Sequence, residues 1–220
     1  MSKYKSISKK PSLGSPIKKK FKKDIEFECD DDESTGELIT HEDNHIYFYD
    51  NVNEKNILTL VKCIKNLNIK LLSLKSEFDL KYNTKLDLHI YLHINSCGGN
   101  ITDALIGVDC IKNSKIPIVS IVEGYAASAA TFLSMVCHKR QITSNSCMLI
   151  HQLSSATCGT YEQMNDDHAN NELLQNKIRQ LYIKYSYGKL TNKKLDTILK
   201  HDLMWDANKC IQNGLVDDII

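Results

Sequence analysis

Residues 88–136 read LHIYLHINSCGGNITDALIGVDCIKNSKIPIVSIVEGYAASAATFLSMV. LHIYLHI (88–94) is a short run rich in β-branched and aromatic side chains and is read as a strand. It passes through NSCGGN into ITDALIGVDCIKN, where Ile101, Leu105, Val108 and Ile111 share one stripe at helical spacing. IPIVSIV (116–122) is a second buried strand, and the Ala-rich GYAASAATFLSMV that follows is read as a helix of small residues. Strands alternating with helices predict an α/β fold.

The alternation extends both ways. Upstream, IYFY from Ile46 reads as a short strand, and Ile57, Leu60, Val61, Ile64 and Leu67 recur at helical spacing. Downstream, CMLIH (147–151) is a third strand, a long polar helix covers about 160–187, another follows Thr191, and GLVDDII closes the chain. No internal repeat is present. The 220 residues suit one domain, residues 41–220, preceded by an extension, residues 1–40. That extension runs from a Lys-rich stretch into an acidic one with few apolar residues, and is expected to be a disordered, solubilising tail. A transit peptide, nuclear-import cluster or polyanion-binding arm are the sharper alternatives for its lysines. Residues 1–23 hold nine of the 28 Lys and Arg and no acid, leaving 19 basic against 27 acidic residues in the rest. The body is therefore mildly acidic, with no implied nucleic-acid partner. Eight dispersed cysteines without a C-x-x-C pair point to a reducing compartment, such as the cytoplasm. No run suits a signal peptide or a membrane span.

Two strand ends carry candidate chemistry. Gly98-Gly99 is either a tight turn or a close-approach site whose main-chain N–H stabilises an oxyanion. Ser128 sits where a buried strand breaks into small residues; space around one hydroxyl near a helix N-terminus suits an acyl-transfer nucleophile, and simple helix packing is the plainer alternative. The surrounding sequence is not the G-x-S-x-G elbow. His151 ends an apolar strand 23 residues later and needs a polar partner. Asp196, Asp202 and Asp206 are the acids available to orient it. Neither H-E-x-x-H nor zinc-spaced Cys and His occurs, so no metal is expected.

In order along the chain, INSCGGNI (94–101), VEGYAASAAT (122–131), MLIHQ (148–152) and MWDANKCIQNGLVDDII (204–220) resemble the ClpP family, the proteolytic subunit of the Clp protease. The corresponding family segments are I-N-S-P-G-G, M-G-Q-A-A-S-M-G, M-I-H-Q-P and a closing Y-G-L-V-D. The resemblance covers about residues 46–220. It implies a ClpP/crotonase-like spiral of strand–helix units with a protruding helix–strand handle, and a serine endopeptidase that cleaves unfolded polypeptides and short peptides. It makes Ser128 the nucleophile, His151 the general base and, counting back from GLVD, Asp202 the third triad member, with Asp196 and Asp206 as surface or capping acids. The oxyanion hole is implied at the N–H groups of Gly99 and Ala129. A homo-oligomer follows, with heptameric rings stacked as a tetradecamer and served by an AAA+ unfoldase. No cofactor is implied, since ATP is consumed by that partner alone.

Departures from the family pattern are also present. Cys97 replaces the Pro before Gly-Gly, Tyr125 a Gln, and Leu153 the Pro after His-Gln. His93 stands at an aromatic position of the family's unfoldase-docking pocket, although Tyr91 is kept. Extra sequence between about Leu67 and Asp87 is expected to lengthen the first helix and its exit loop. Lys200 and His201 replace an acid–Arg pair that joins rings, and Glu162, Asp166 and Asp167 are the acids that could pair with them instead. Rival readings are a crotonase, an unfoldase-independent protease of prohead or signal-peptide-peptidase type, and a non-catalytic scaffold subunit of a mixed ring.

Overall fold

The computed structural model describes residues 39–83 and 86–220. Residues 1–38 of the expected extension lie outside the described residues. Its last two, Ile39 and Thr40, do not belong to a tail: strand β1 (Ile39–Glu42) pairs antiparallel with β2 (His45–Phe48), and Ile39 is buried in the core. The folded region thus begins at least two residues before the boundary expected from composition.

From β2 onward the chain alternates as expected. Helix α1 (Glu54–Tyr82) starts at Asn53, whose side chain accepts from Asn56 N–H, and ends at Asn83 in the left-handed conformation. Ile57, Leu60, Ile64, Leu67 and Leu71 form its buried stripe, at the spacing that brings residues to one helical face. Beyond Leu71 the extra sequence continues as helix with no buried residue. Strand β3 (Ile90–Ser96), helix α2 (Ile101–Lys112), strand β4 (Ile118–Ala127), helix α3 (Ala129–Met135), strand β5 (Lys139–Ile142) and strand β6 (Cys147–Leu149) follow. Helices α4 (Tyr161–Tyr185) and α5 (Asn192–Ile198), strand β7 (Met204–Asp206), helix α6 (Ala207–Gln212) and strand β8 (Asp218–Ile219) complete the chain.

The strands form one sheet in the order β1-β2-β3-β4-β5-β8, with β6 on the far end of β4 and β7 on β6. All neighbours are parallel except β1–β2 and β6–β7. Strand β4 is longer than its sequence suggested and runs past Val122 to Ala127. The register with β3 shifts between Ile94↔Val122 and Ser96↔Ala126, and Gly124 takes φ +76° within that shift. Such a bulge bends a strand and re-aims its side chains. The first half of β4 therefore pairs with β5 and the second with β6. The helix read at GYAASAAT begins only at Ala129 because this bent strand consumes its first residues. In the handle, α4 is preceded by residues 151–160, a segment that forms no ladder among the described residues, so the expected strand is not formed there.

Candidate active site

Ser128 is the hinge between β4 and α3. Its φ of +51° and ψ of −124° lie outside the regions that suit side chains with a Cβ, and the surroundings hold it there. Ser128 N–H donates to Leu149 O at 2.8 Å, and Thr131 N–H donates to Ser128 O at 3.1 Å. The side chain is thereby turned out of the sheet into a cleft of about 480 Å³, which His151 and Gly99 also line.

His151 lies two residues beyond β6, with its Nε2 2.6 Å from Ser128 Oγ. Gln152 N–H, just after it, donates to Leu199 O and ties the segment to the end of α5. The β6–β7 ladder then selects among the three candidate acids. Leu149 pairs with Met204 and Cys147 with Asp206, so continuing the antiparallel register by two residues sets His151 opposite Asp202. Asp202 Oδ1 lies 3.4 Å from His151 Nδ1. The imidazole is 25% exposed and the carboxylate 76%, so this is a solvent-facing pairing. Asp206 accepts instead from Lys209 N–H as the cap of α6, and Asp196 pairs with Arg179 at 2.7 Å.

The Gly98-Gly99 turn abuts Ser128. Val52 N–H donates to Gly98 O and Asn100 N–H donates to Val52 O, an arrangement that leaves the Gly99 N–H on the opposite side, toward the cleft. Both glycines have positive φ; a Cβ at Gly99 would lie 2.2 Å from Val52 O, and one at Gly98 would lie 2.6 Å from Ala127 O. Ala129, the first residue of α3, carries one of the N–H groups that a helix start leaves unpaired. A hydroxyl, an imidazole and the Gly99 turn thus line one cleft, with the Asp202 carboxylate on the Nδ1 side of the imidazole. No group of three or more metal-ligating side chains occurs among the described residues.

The Clp protease family model matches residues 42–220. The chain belongs to the Clp protease family. A Clp protease proteolytic subunit of Streptococcus mutans is 32% identical over 144 residues, spanning 64% of this chain and 72% of that relative. Subunit 1 of Streptomyces coelicolor is 32% identical over 136 residues, 61% of each chain. A structure of the ClpP1 N165D mutant from Listeria monocytogenes superposes with a TM-score of 0.67 over 81% of this chain and 91% of that one, at 18% identity, a likeness of fold. Membership in this family makes the chain a serine-type peptidase.

The partners of two further residues of this Clp protease family member were not apparent in the sequence. Arg140, 1% exposed, donates through Nε and a terminal nitrogen to Asp217, and through its other terminal nitrogen to Gly214 O at 2.9 Å. Asp217 is the Asp of GLVD, so this part of the closing motif anchors the C-terminal segment to β5. Burial opposes ionisation of Asp217, but hydrogen bonds and charge from Arg140 outweigh it and hold the carboxyl below its ordinary range. His93 is buried in a chain of polar contacts: its Nε2 lies 2.8 Å from His45 Nδ1, its Nδ1 2.9 Å from Glu123, and Tyr49 donates to the same carboxylate. Both Arg140 and His93 find partners dozens of residues away, which local patterning does not reveal.

Proposed function

We propose that the chain is a serine endopeptidase that cleaves unfolded polypeptides and short peptides through Ser128, His151 and Asp202. The observation that carries this reading is the 2.6 Å contact between Ser128 Oγ and His151 Nε2 in the cleft. For Ser128 to donate its proton, His151 Nε2 must be unprotonated and Nδ1 must carry the hydrogen; Asp202, on the Nδ1 side, favours that tautomer and steadies the imidazolium formed during attack. The carbonyl oxygen of the scissile bond gathers negative charge between the N–H groups of Gly99 and Ala129. His151 returns its proton to the leaving amine, and water, activated by the same imidazole, releases the acyl-enzyme. Ile101, Phe132, Leu174 and Ile178 give the cleft apolar walls, which suits an apolar side chain at the cleaved residue.

This chemistry needs no cofactor. The family and the fold likeness are consistent with a ring oligomer working with a Clp unfoldase. We extend that to heptameric rings, stacked as a tetradecamer, enclosing the sites in a chamber, with ATP used only by an AAA+ unfoldase, in the cytoplasm or another reducing compartment. A fluorophosphonate probe tests the core of the reading: it is expected to label Ser128, and Ser128→Ala is expected to abolish both labelling and peptide cleavage. Cleavage retained by the purified mutant overturns the assignment.

A second reading concerns the partner. His93, which stands where the resemblance implies an aromatic docking residue, is engaged by His45 and Glu123, which favours a peptidase that acts without an unfoldase. Hydrolysis of unfolded casein at an unchanged rate with and without a Clp unfoldase and ATP supports it; acceleration by that unfoldase removes it.

A further inference from the structure

The peptide unit after the nucleophile is held from behind by one hydroxyl, which is itself engaged by a second. Thr131 Oγ1 donates to Ser128 O at 2.6 Å. Because that uses its only hydrogen, the 2.9 Å contact between Thr131 Oγ1 and Tyr182 Oη has the tyrosine as donor. Tyr182 reaches this point from α4, 51 residues along the chain, and is fully buried against Phe132. Burial raises its phenol well above the ordinary range, which keeps the hydroxyl protonated and able to donate.

Ser128 O and Ala129 N–H belong to one planar peptide unit, in which carbonyl and N–H point in opposite directions. Drawing the oxygen toward Thr131 directs the Ala129 N–H to the other side, where the oxyanion forms. A Thr hydroxyl bonding a carbonyl three residues back is common in helices as a local contact. Here the contact is backed by a second donor from a different helix, and the peptide unit it holds is the one that supplies the oxyanion hole. We propose that Thr131 and Tyr182 are positioning residues that aim the Ala129 N–H at the oxyanion, an assignment that rests on the serine peptidase reading above.

The test uses the full chain and a fluorogenic peptide, with kcat expressed per site titrated by a fluorophosphonate. Thr131→Val keeps shape and deletes the hydroxyl; it is expected to lower kcat about 10- to 100-fold with KM within about twofold, because a misaimed oxyanion donor is felt in the transition state. Thr131→Ser keeps the hydroxyl and is expected to recover kcat to within about threefold of the unmodified chain. Thr131→Val alone leaves the Tyr182 hydroxyl buried without an acceptor, so Thr131→Val/Tyr182→Phe is the companion that removes both polar groups; the same kcat loss is expected. The assignment is overturned by a double variant with kcat per site within twofold of the unmodified chain, by Thr131→Ser falling as far as Thr131→Val, or by losses confined to the fraction of titratable sites. An unmodified chain that never labels at Ser128 overturns the peptidase reading and this assignment together. A labelled, active chain with indifferent variants overturns this one alone.

Discussion

Asp202 and Asp206 lie four residues apart on one short segment, yet one faces His151 and the other caps a helix. Asn substitution separates the roles. At Asp202 an amide both removes the charge and offers an N–H to Nδ1, favouring the wrong tautomer; buried triads lose on the order of 10⁴ in kcat from this change. With Asp202 76% exposed, solvent supplies part of what it gives, so a loss of about 10²- to 10⁴-fold is expected. Asp206→Asn keeps a good capping side chain and is expected to alter kcat less than about threefold and leave thermal stability unchanged. Kinetics on the two variants decide, and the reverse order removes Asp202 from the site. Gly99→Ala is the harshest expected change in the cleft, because its Cβ meets the Val52 carbonyl at 2.2 Å and φ stays at +143°. Loss of peptidase activity with a lowered melting temperature is expected, and a fully active, equally stable variant excludes the close approach. Ser128 and His151 stood out in the sequence because strand ends surround them. Asp202 required the resemblance, since the register that sets it opposite His151 belongs to a three-residue ladder with no alternation to read.

Among the elements, the helices and the apolar strands β2, β3, β4 and β6 were legible, and four short strands were not. The stripes of α1 and α2 span several turns, so their periodicity stands above chance. Strands β1, β5, β7 and β8, of two to four residues, carry too few positions for a period of two to register. The end of β4 was misassigned for a different reason: Ala-rich sequence has high helix propensity, and the bulge at Gly124 with pairing to β6 overrides it. The contact between β5 and the C-terminal segment depends on Arg140 and Asp217, which neither strand pattern reveals. Asp217→Asn leaves a buried guanidinium without its counter-charge, and a loss of about 3 kcal/mol is expected, at the lower end for a broken buried pair because the carboxylate is partly exposed. The pH dependence has a definite sign. Asp217 ionises more readily folded than unfolded, so its stabilisation is complete above its ordinary pKa of 3.8 and is lost as pH falls through the lower folded value. Denaturant melts across that acid range are expected to show a slope from the unmodified chain that Asp217→Asn lacks; equal slopes remove the pair from the balance.

At the scale of the whole molecule, the charges beside the site bear on the proposed assembly. Lys200 and His201 immediately precede Asp202, are exposed, and join no ion pair among the described residues. Lys193, Lys194 and Lys209 line the neighbouring groove of about 540 Å³, whose floor includes Trp205, and add to the same positive face. Glu162, Asp166 and Asp167 cluster in the first two turns of α4 beside the exposed Tyr161 and Met164. If rings stack, these two faces have the complementarity to meet between copies. Each exposed pair contributes only about 0.2–1 kcal/mol, but a stacked assembly repeats every pair once per subunit, so the sum governs association. Raising salt from about 0.1 to 1 M shortens the screening length from about 10 to 3 Å and weakens every such pair at once. Sedimentation velocity is therefore expected to show the largest species giving way to smaller ones over that range, with peptide cleavage declining in step because Lys200 and His201 adjoin Asp202. Lys200→Glu/His201→Glu is expected to shift the same transition to low salt, and adding Glu162→Lys/Asp166→Lys is expected to restore the larger species. An assembly indifferent to salt and to both charge reversals places the contact between copies on other residues.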